Sequence, residues 1–168
     1  MEFYCENMKL LNGKEEQEAI KYMLICAELA KKSTCLRRKC GSIIVKDNIV
    51  IGQGFNSPAG NLESQRRCTC NKDQLHRKIT DKTCCIHAEQ RAIYDALTHN
   101  ADKIKGSRIY LNAVDESEIT IRAGKPYCTI CSKSALDVGI KEFVLWHETG
   151  ITVYNTEEYN ILSYQYNE

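Results

Sequence analysis

The 168-residue sequence has no apolar run approaching the roughly 20 residues that a bilayer span needs, and its first residues, "MEFYCENMKL", hold no apolar stretch of the export-signal kind. Neither membrane insertion nor secretion is expected, and the protein is read as cytoplasmic. Proline is scarce, at two residues, and no repeat or low-complexity tract is present. Nothing marks a linker, so residues 1–168 are expected to form one domain. Excess charge is missing as well. Lys and Arg number 23 against 22 Asp and Glu, a balance of +1 that argues against a polynucleotide binder, though the basic cluster at 66–78 keeps that reading open. What the chain has in quantity is cysteine. Ten of them without an export signal point to reduced thiols or metal ligands rather than a disulfide framework.

Periodicity supplies the frame. "EEQEAIKYMLICAELAKK" (15–32) repeats Ala19, Ile20, Met23, Leu24, Ala27 and Ala30 at helical spacing, with Asn12 and Glu15 placed for a capping box. "GSIIVK" and "IVIGQGF" flank Asp47-Asn48, a pair suited to a two-residue hairpin turn. Residues 56–83 form a long polar excursion. A second helix is expected from about Ile86 to His99, burying Ala88, Ala92, Ile93, Ala96 and Leu97. "SRIYLNAV" reads as a third strand, and Cys128 to Val138 as a helix that Gly139 stops. "KEFVLWH" and "ITVYN" follow as strands four and five, with a short helix over Thr156 to Tyr164 and Trp146 in the core. Only "HETG" separates those last two strands, and a parallel crossover needs a dozen residues or more, so they must run antiparallel. The fold class is α/β: a three-layer α/β/α sandwich around a mixed five-stranded sheet.

Two helix starts carry the chemistry. Cys128 and Cys131 form a C-x-x-C at the head of one helix, a spacing at which two thiolates share a metal. Free N–H groups at a helix start also favour the thiolate. His87 stands at the head of the preceding helix, with Glu89 two residues on. Two thiolates and an imidazole leave one tetrahedral position for water, as in a catalytic zinc site, and Glu89 would stand beside it as a proton carrier without ligating the metal. The alternative is a capping histidine and a surface acid.

His87-Ala88-Glu89 followed by Pro126-Tyr127-Cys128-Thr129-Ile130-Cys131 resembles the H-x-E…P-C-x-x-C signature of the zinc-dependent cytidine and deoxycytidylate deaminases. "KSTCLRRKCGSIIVKDN" and "GQGFNSPAG" are similar to the first hairpin and the substrate loop of the deoxycytidylate group. The resemblance implies a cytidine-deaminase-like fold and the hydrolysis of dCMP to dUMP with release of ammonia. It implies zinc on His87, Cys128 and Cys131, with Glu89 as the catalytic proton shuttle. It also implies Ala88 N–H on the base carbonyl and Asn56 on the sugar hydroxyl or the base. The expected partner is a small pyrimidine nucleotide or nucleoside, bound by a homo-oligomer. Three departures stand out: Tyr127 separates Pro126 from Cys128, the loop "GFNSPAG" is one glycine shorter than the family form, and antiparallel closing strands are the pattern of the free-nucleoside enzymes.

The excursion holds cysteines beyond this need. Cys68 and Cys70 could pair with His76 and one of Cys84 or Cys85 around a second, structural zinc, or all could be plain reduced thiols. The resemblance adds that some deoxycytidylate deaminases hold a second zinc in this excursion, on different ligands. Cys5 and Cys26 read as core or bystander thiols. Arg66 and Arg67 are candidate contacts to a 5′-phosphate, with Lys72, Arg77, Lys78, Arg37, Arg38 and Lys39 close by in sequence. Other readings are a free cytidine or deoxycytidine deaminase, a polynucleotide base deaminase, and a zinc protein without catalysis; intact Glu89 argues against the last.

Overall fold

The computed structural model describes residues 8–167; the expectation for Cys5 lies outside them. In chain order the elements are β1 (Lys9–Leu10), α1 (Gly13–Lys31), β2 (Lys39–Lys46), β3 (Ile49–Phe55), β4 (Ser57–Pro58), β5 (Cys85–Ile86), α2 (Ala88–His99), β6 (Arg108–Val114), β7 (Thr120–Ile121), α3 (Thr129–Asp137), β8 (Glu142–His147), β9 (Gly150–Asn155) and α4 (Thr156–Tyr164). The main sheet runs β1-β9-β8-β6-β2-β3, with β7 on the end of β6, and β4 pairs with β5 apart from it. β6 and β8 are parallel, joined through α3, and the other pairings are antiparallel. The five long strands are those expected, and the two-residue β1 and β7 extend their sheet. β8 and β9 are antiparallel, as the short "HETG" connection requires.

Alternation along the strands divides the core in two. Ile43 and Val45 of β2 face α1, where Met23, Cys26 and Leu29 meet Tyr110, Val144 and Ile151. Ile44, between them, faces the other side, where Ala92 and Ala96 of α2, Ala135 of α3 and Tyr159 of α4 pack on Ile109, Phe143 and Leu145. The result is helix, mixed sheet, helix. Asp47 and Asn48 both hold positive φ, 49° and 62°, as a tight hairpin turn requires. No helix among the described residues is long and apolar enough to cross a membrane.

Some details differ from expectation. Asn12 caps α1 by position but its side chain makes no capping bond, and the Glu15 carboxylate pairs with Lys9. Leu24 and Leu97 are exposed, on the outer faces of helices whose inner stripes the alanines already fill. Trp146 is half-buried and carries the Arg122 guanidinium 3.8 Å above its ring.

Candidate active site

The position of α2 is set from beneath by glycine. A Cβ added at Gly52 would stand 2.4 Å from Ala92 O, and one at Gly54 2.6 Å from Ala88 O. The helix backbone therefore rests directly on β3, and its first turn is fixed at the strand's end. His87 precedes α2 with extended φ and ψ, and its backbone N–H donates to Gln90 Oε1 at 3.0 Å. The His87 imidazole reaches the head of α3. Its Nδ1 lies 3.2 Å from Cys128 Sγ and 3.1 Å from Cys131 Sγ. Cys128 caps α3, its sulfur accepting from Cys131 N–H at 3.4 Å.

Charge in this cluster is shared. The Cys131 thiol and the His87 ring bring Cys128 down to about 5, while burial drives Cys131 well above the ordinary thiol range. The Cys128 sulfur in turn raises His87 to about 9. Glu89 is 4% exposed, which excludes the surface-acid reading. Burial first, and then the Cys128 charge, push its carboxyl up to about 7, and it hydrogen-bonds Cys131.

The donor set suits zinc. Two sulfurs and a ring nitrogen within 4.8 Å of one another are soft and borderline ligands. Zn–S and Zn–N bonds at a tetrahedral angle put sulfur and nitrogen about 3.6 Å apart, close to the distances found here.

A cavity of about 320 Å³ opens onto this cluster, lined by His87, Ala88, Glu89, Cys128, Asn56 and Tyr127 among others. That is room for a small ligand. Ala88 is the first residue of α2, where backbone N–H groups have no partner within the helix. Asn56 borders the cavity, but much of its amide is engaged within the protein: Oδ1 accepts from Ser33 Oγ at 2.6 Å and Cys40 N–H at 2.8 Å, and Nδ2 donates to Arg38 O at 2.8 Å. One amide hydrogen is left for a ligand.

The two candidate phosphate contacts part company. Arg66 is bound to Glu63, to Thr34 O at 2.9 Å and to Cys68 Sγ at 3.4 Å, and it does not border the cavity. Arg67 does, together with Arg37, Arg38 and Lys72. The second metal group is also corrected. Cys70 is exposed in a turn, and His76 Nδ1 accepts from Lys78 N–H at 3.2 Å within its own turn. Neither joins Cys68. Residues two apart in so tight a segment point apart, and Cys68 instead meets Cys35 and Cys85, the three sulfurs lying within 4.8 Å of one another. Cys84 Sγ is 3.2 Å from Cys68 Sγ.

Sequence reasoning missed the clamp made by Arg91. That guanidinium donates to Asn61 Oδ1 at 2.6 Å, Pro58 O at 3.0 Å and Ser57 O at 3.3 Å, tying α2 to the loop beyond Asn56. No local pattern marks such long-range bonds. The G-x-G of "IGQGF" was a readable sign of close backbone approach.

The model of the cytidine and deoxycytidylate deaminase zinc-binding region matches residues 16–147. Over 141 residues the chain is 29% identical to the deoxycytidylate deaminase of Schizosaccharomyces pombe, covering 82% of this chain and 38% of that protein. The chain thus spans well under half the length of that relative. Among solved structures, the dCMP deaminase of cyanophage S-TIM5, determined in complex with dCMP and dUMP, superposes with a TM-score of 0.53 at 22% identity, covering 79% of this chain and 82% of that one. Cytidine deaminase from Burkholderia pseudomallei gives 0.54 at 16% identity, covering 83% and 94%. Both share the fold.

Proposed function

The chain belongs to the cytidine and deoxycytidylate deaminase zinc-binding family, and from that premise we propose that it converts dCMP and water to dUMP and ammonia, as one catalytic domain working in a homo-oligomer in the cytoplasm. The observation that carries this reading is the convergence of His87, Cys128 and Cys131 beside a buried carboxyl, with His87, Cys128 and Glu89 bordering one cavity.

His87, Cys128 and Cys131 would hold the zinc. When bound, zinc supplies Lewis acidity that brings the pKa of water to roughly 7, so that a nucleophile for C4 of cytosine exists at neutral pH. The chain's own groups do the rest. Glu89 takes one proton released by that water and delivers it to N3 of the base, then takes the remaining proton of the new C4 hydroxyl and delivers it to the 4-amino nitrogen, so that the C4–N bond breaks and ammonia leaves. Its burial against Cys131 keeps it away from bulk solvent, so the proton stays with the reactants. Ala88 N–H, at the head of α2, meets the base carbonyl. Asn56 holds the loop in place and has one hydrogen to offer the sugar.

A 5′-phosphate is favoured by the four cations on the cavity wall, Arg37, Arg38, Arg67 and Lys72. The fission-yeast relative, which is called a deoxycytidylate deaminase, supports the same choice. The antiparallel β8–β9 pair favours a second reading, a free cytidine or deoxycytidine deaminase. Loss of cytosine absorbance, followed on dCMP, deoxycytidine, cytidine, cytosine and a cytosine-containing oligonucleotide, separates these. The proposal expects dCMP to be turned over most efficiently. Preference for the nucleoside supports the second reading, preference for the oligonucleotide defeats both, and silence on every substrate defeats deamination itself.

A further inference from the structure

We infer that the ring of Tyr127 receives the flat face of the pyrimidine, and that Tyr166, just beyond α4, holds that ring in place; the contact belongs to the proposed deamination site and rests on that reading. Tyr127 directly precedes Cys128, on the segment that leads into the head of α3. Its neighbour Pro126 is buried, whereas Tyr127 is 54% exposed and lies in neither half of the core. Its position is at the site instead. It borders both the cavity that holds His87 and Glu89 and a narrower one of about 40 Å³ beside it. Two tyrosines border the larger cavity. Tyr159 is 2% exposed, its ring stacked on Phe143 at 4.0 Å and set edge-on to Tyr154 at 5.8 Å, so neighbours already cover it. Tyr127 has surface left to offer. The other groups assigned to the base meet its rim: Ala88 N–H its carbonyl, Glu89 its N3 and 4-amino nitrogen. None covers a ring face, where contact with an aromatic side chain supplies affinity for any base.

The brace comes from the far end of α4. Ser132 Oγ of α3 donates to Asn160 Oδ1 of α4 at 2.8 Å, and six residues further along the chain Tyr166 meets Tyr127. The two helices therefore run in opposite directions, and α4 delivers residues 165–167 to the loop before α3. There the Tyr166 ring lies 5.7 Å from the Tyr127 ring at an interplanar angle of 52°, and Lys125 Nζ donates to Asn167 Oδ1 at 3.4 Å. A tilted pair at this separation is a favourable aromatic contact. Unlike a face-to-face stack, it leaves much of the ring uncovered, in keeping with the exposure of Tyr127. Tyr166 thus restricts the ring without occupying the surface that a base would take. It is a positioning residue, and Tyr127 is the one that touches substrate.

The test is calorimetric titration of the zinc-loaded Glu89→Gln protein with dCMP, which that protein does not consume during the titration, with zinc content measured for every variant. In this background Tyr127→Ala and Tyr127→Leu should each weaken dCMP binding by about 10-fold or more at unchanged zinc, the scale of one base–aromatic stack. Tyr127→Phe keeps the face and should bind as the tyrosine does. Tyr166→Ala should weaken binding less than Tyr127→Ala, and should add nothing once Tyr127 is already alanine. Should Tyr127→Ala shed zinc, Tyr127→Leu, which fills similar space without a flat face, carries the test. Undiminished binding by Tyr127→Leu overturns the stacking role. So does a loss in Tyr127→Phe, which would assign the contact to the hydroxyl. A further loss from Tyr166→Ala in the Tyr127→Ala background overturns the positioning role. Failure of the deaminase reading looks different: with Tyr127 intact the protein then binds no dCMP, and the stacking role falls with it.

Discussion

Replacing Gly54 with alanine should displace the catalytic helix while leaving the fold intact. The added Cβ would lie 2.6 Å from Ala88 O, 2.6 Å from Arg91 Cβ and 2.7 Å from Ala92 N, where ordinary contact begins at 3.4 Å. Two of these are backbone atoms of α2 and cannot rotate away. The first turn, with His87 and Glu89 on it, must retreat by roughly 0.8 Å, and a misplacement near 1 Å costs on the order of 100-fold in turnover. Overpacking of this kind also costs about 1–3 kcal/mol of stability. Steady-state deamination and urea unfolding of Gly54→Ala, beside the exposed control Ile49→Ala, measure both effects. Turnover within a few-fold of the unaltered protein, with an unchanged unfolding midpoint, would refute the claim that β3 sets the position of the site.

Further predictions concern the cavity wall and the core. Arg67→Ala should raise KM for dCMP by about 10-fold or more, as the loss of a charge-assisted hydrogen bond implies. It should leave deoxycytidine turnover unchanged, and equal losses on both would count against a phosphate role. Arg91→Ala removes the clamp on Ser57, Pro58 and Asn61 and should raise KM at unchanged metal content. Arg91→Lys should not restore it, since one ammonium cannot span the carbonyls and the amide that the fork reaches; full rescue by lysine would sink the clamp. Phe143 is wholly buried and stacked on Tyr159 at 4.0 Å. Phe143→Ala should cost about 3–5 kcal/mol in denaturant unfolding, and a loss below 1 kcal/mol would contradict its place in the core.

Much of this was legible in the sequence because the relevant signals are local. The period of α1, the turn pair Asp47-Asn48 and the four-residue gap before β9 each specify their element from neighbouring residues alone. The triad of His87, Cys128 and Cys131 was legible for a different reason: both helix starts carry their own marks, and C-x-x-C has few other uses. The cysteine surplus did not reveal which thiols meet. Cys35 reaches Cys68 and Cys85 only because the end of α1 folds back beside the excursion, a relation set by tertiary packing. Cys70 and His76 looked right by spacing alone, and turn geometry carries them away. Arg66 was hidden in the same way, since nothing local reveals that Glu63 and Thr34 already hold it.

The central claim is that a buried carboxyl beside a three-donor metal cluster moves the protons of deamination. Glu89→Gln keeps the side chain's size and leaves His87, Cys128 and Cys131 untouched. Measured together, zinc content should match that of the unaltered protein while dCMP turnover falls by about 100-fold or more. Zinc retained with turnover undiminished would contradict the account.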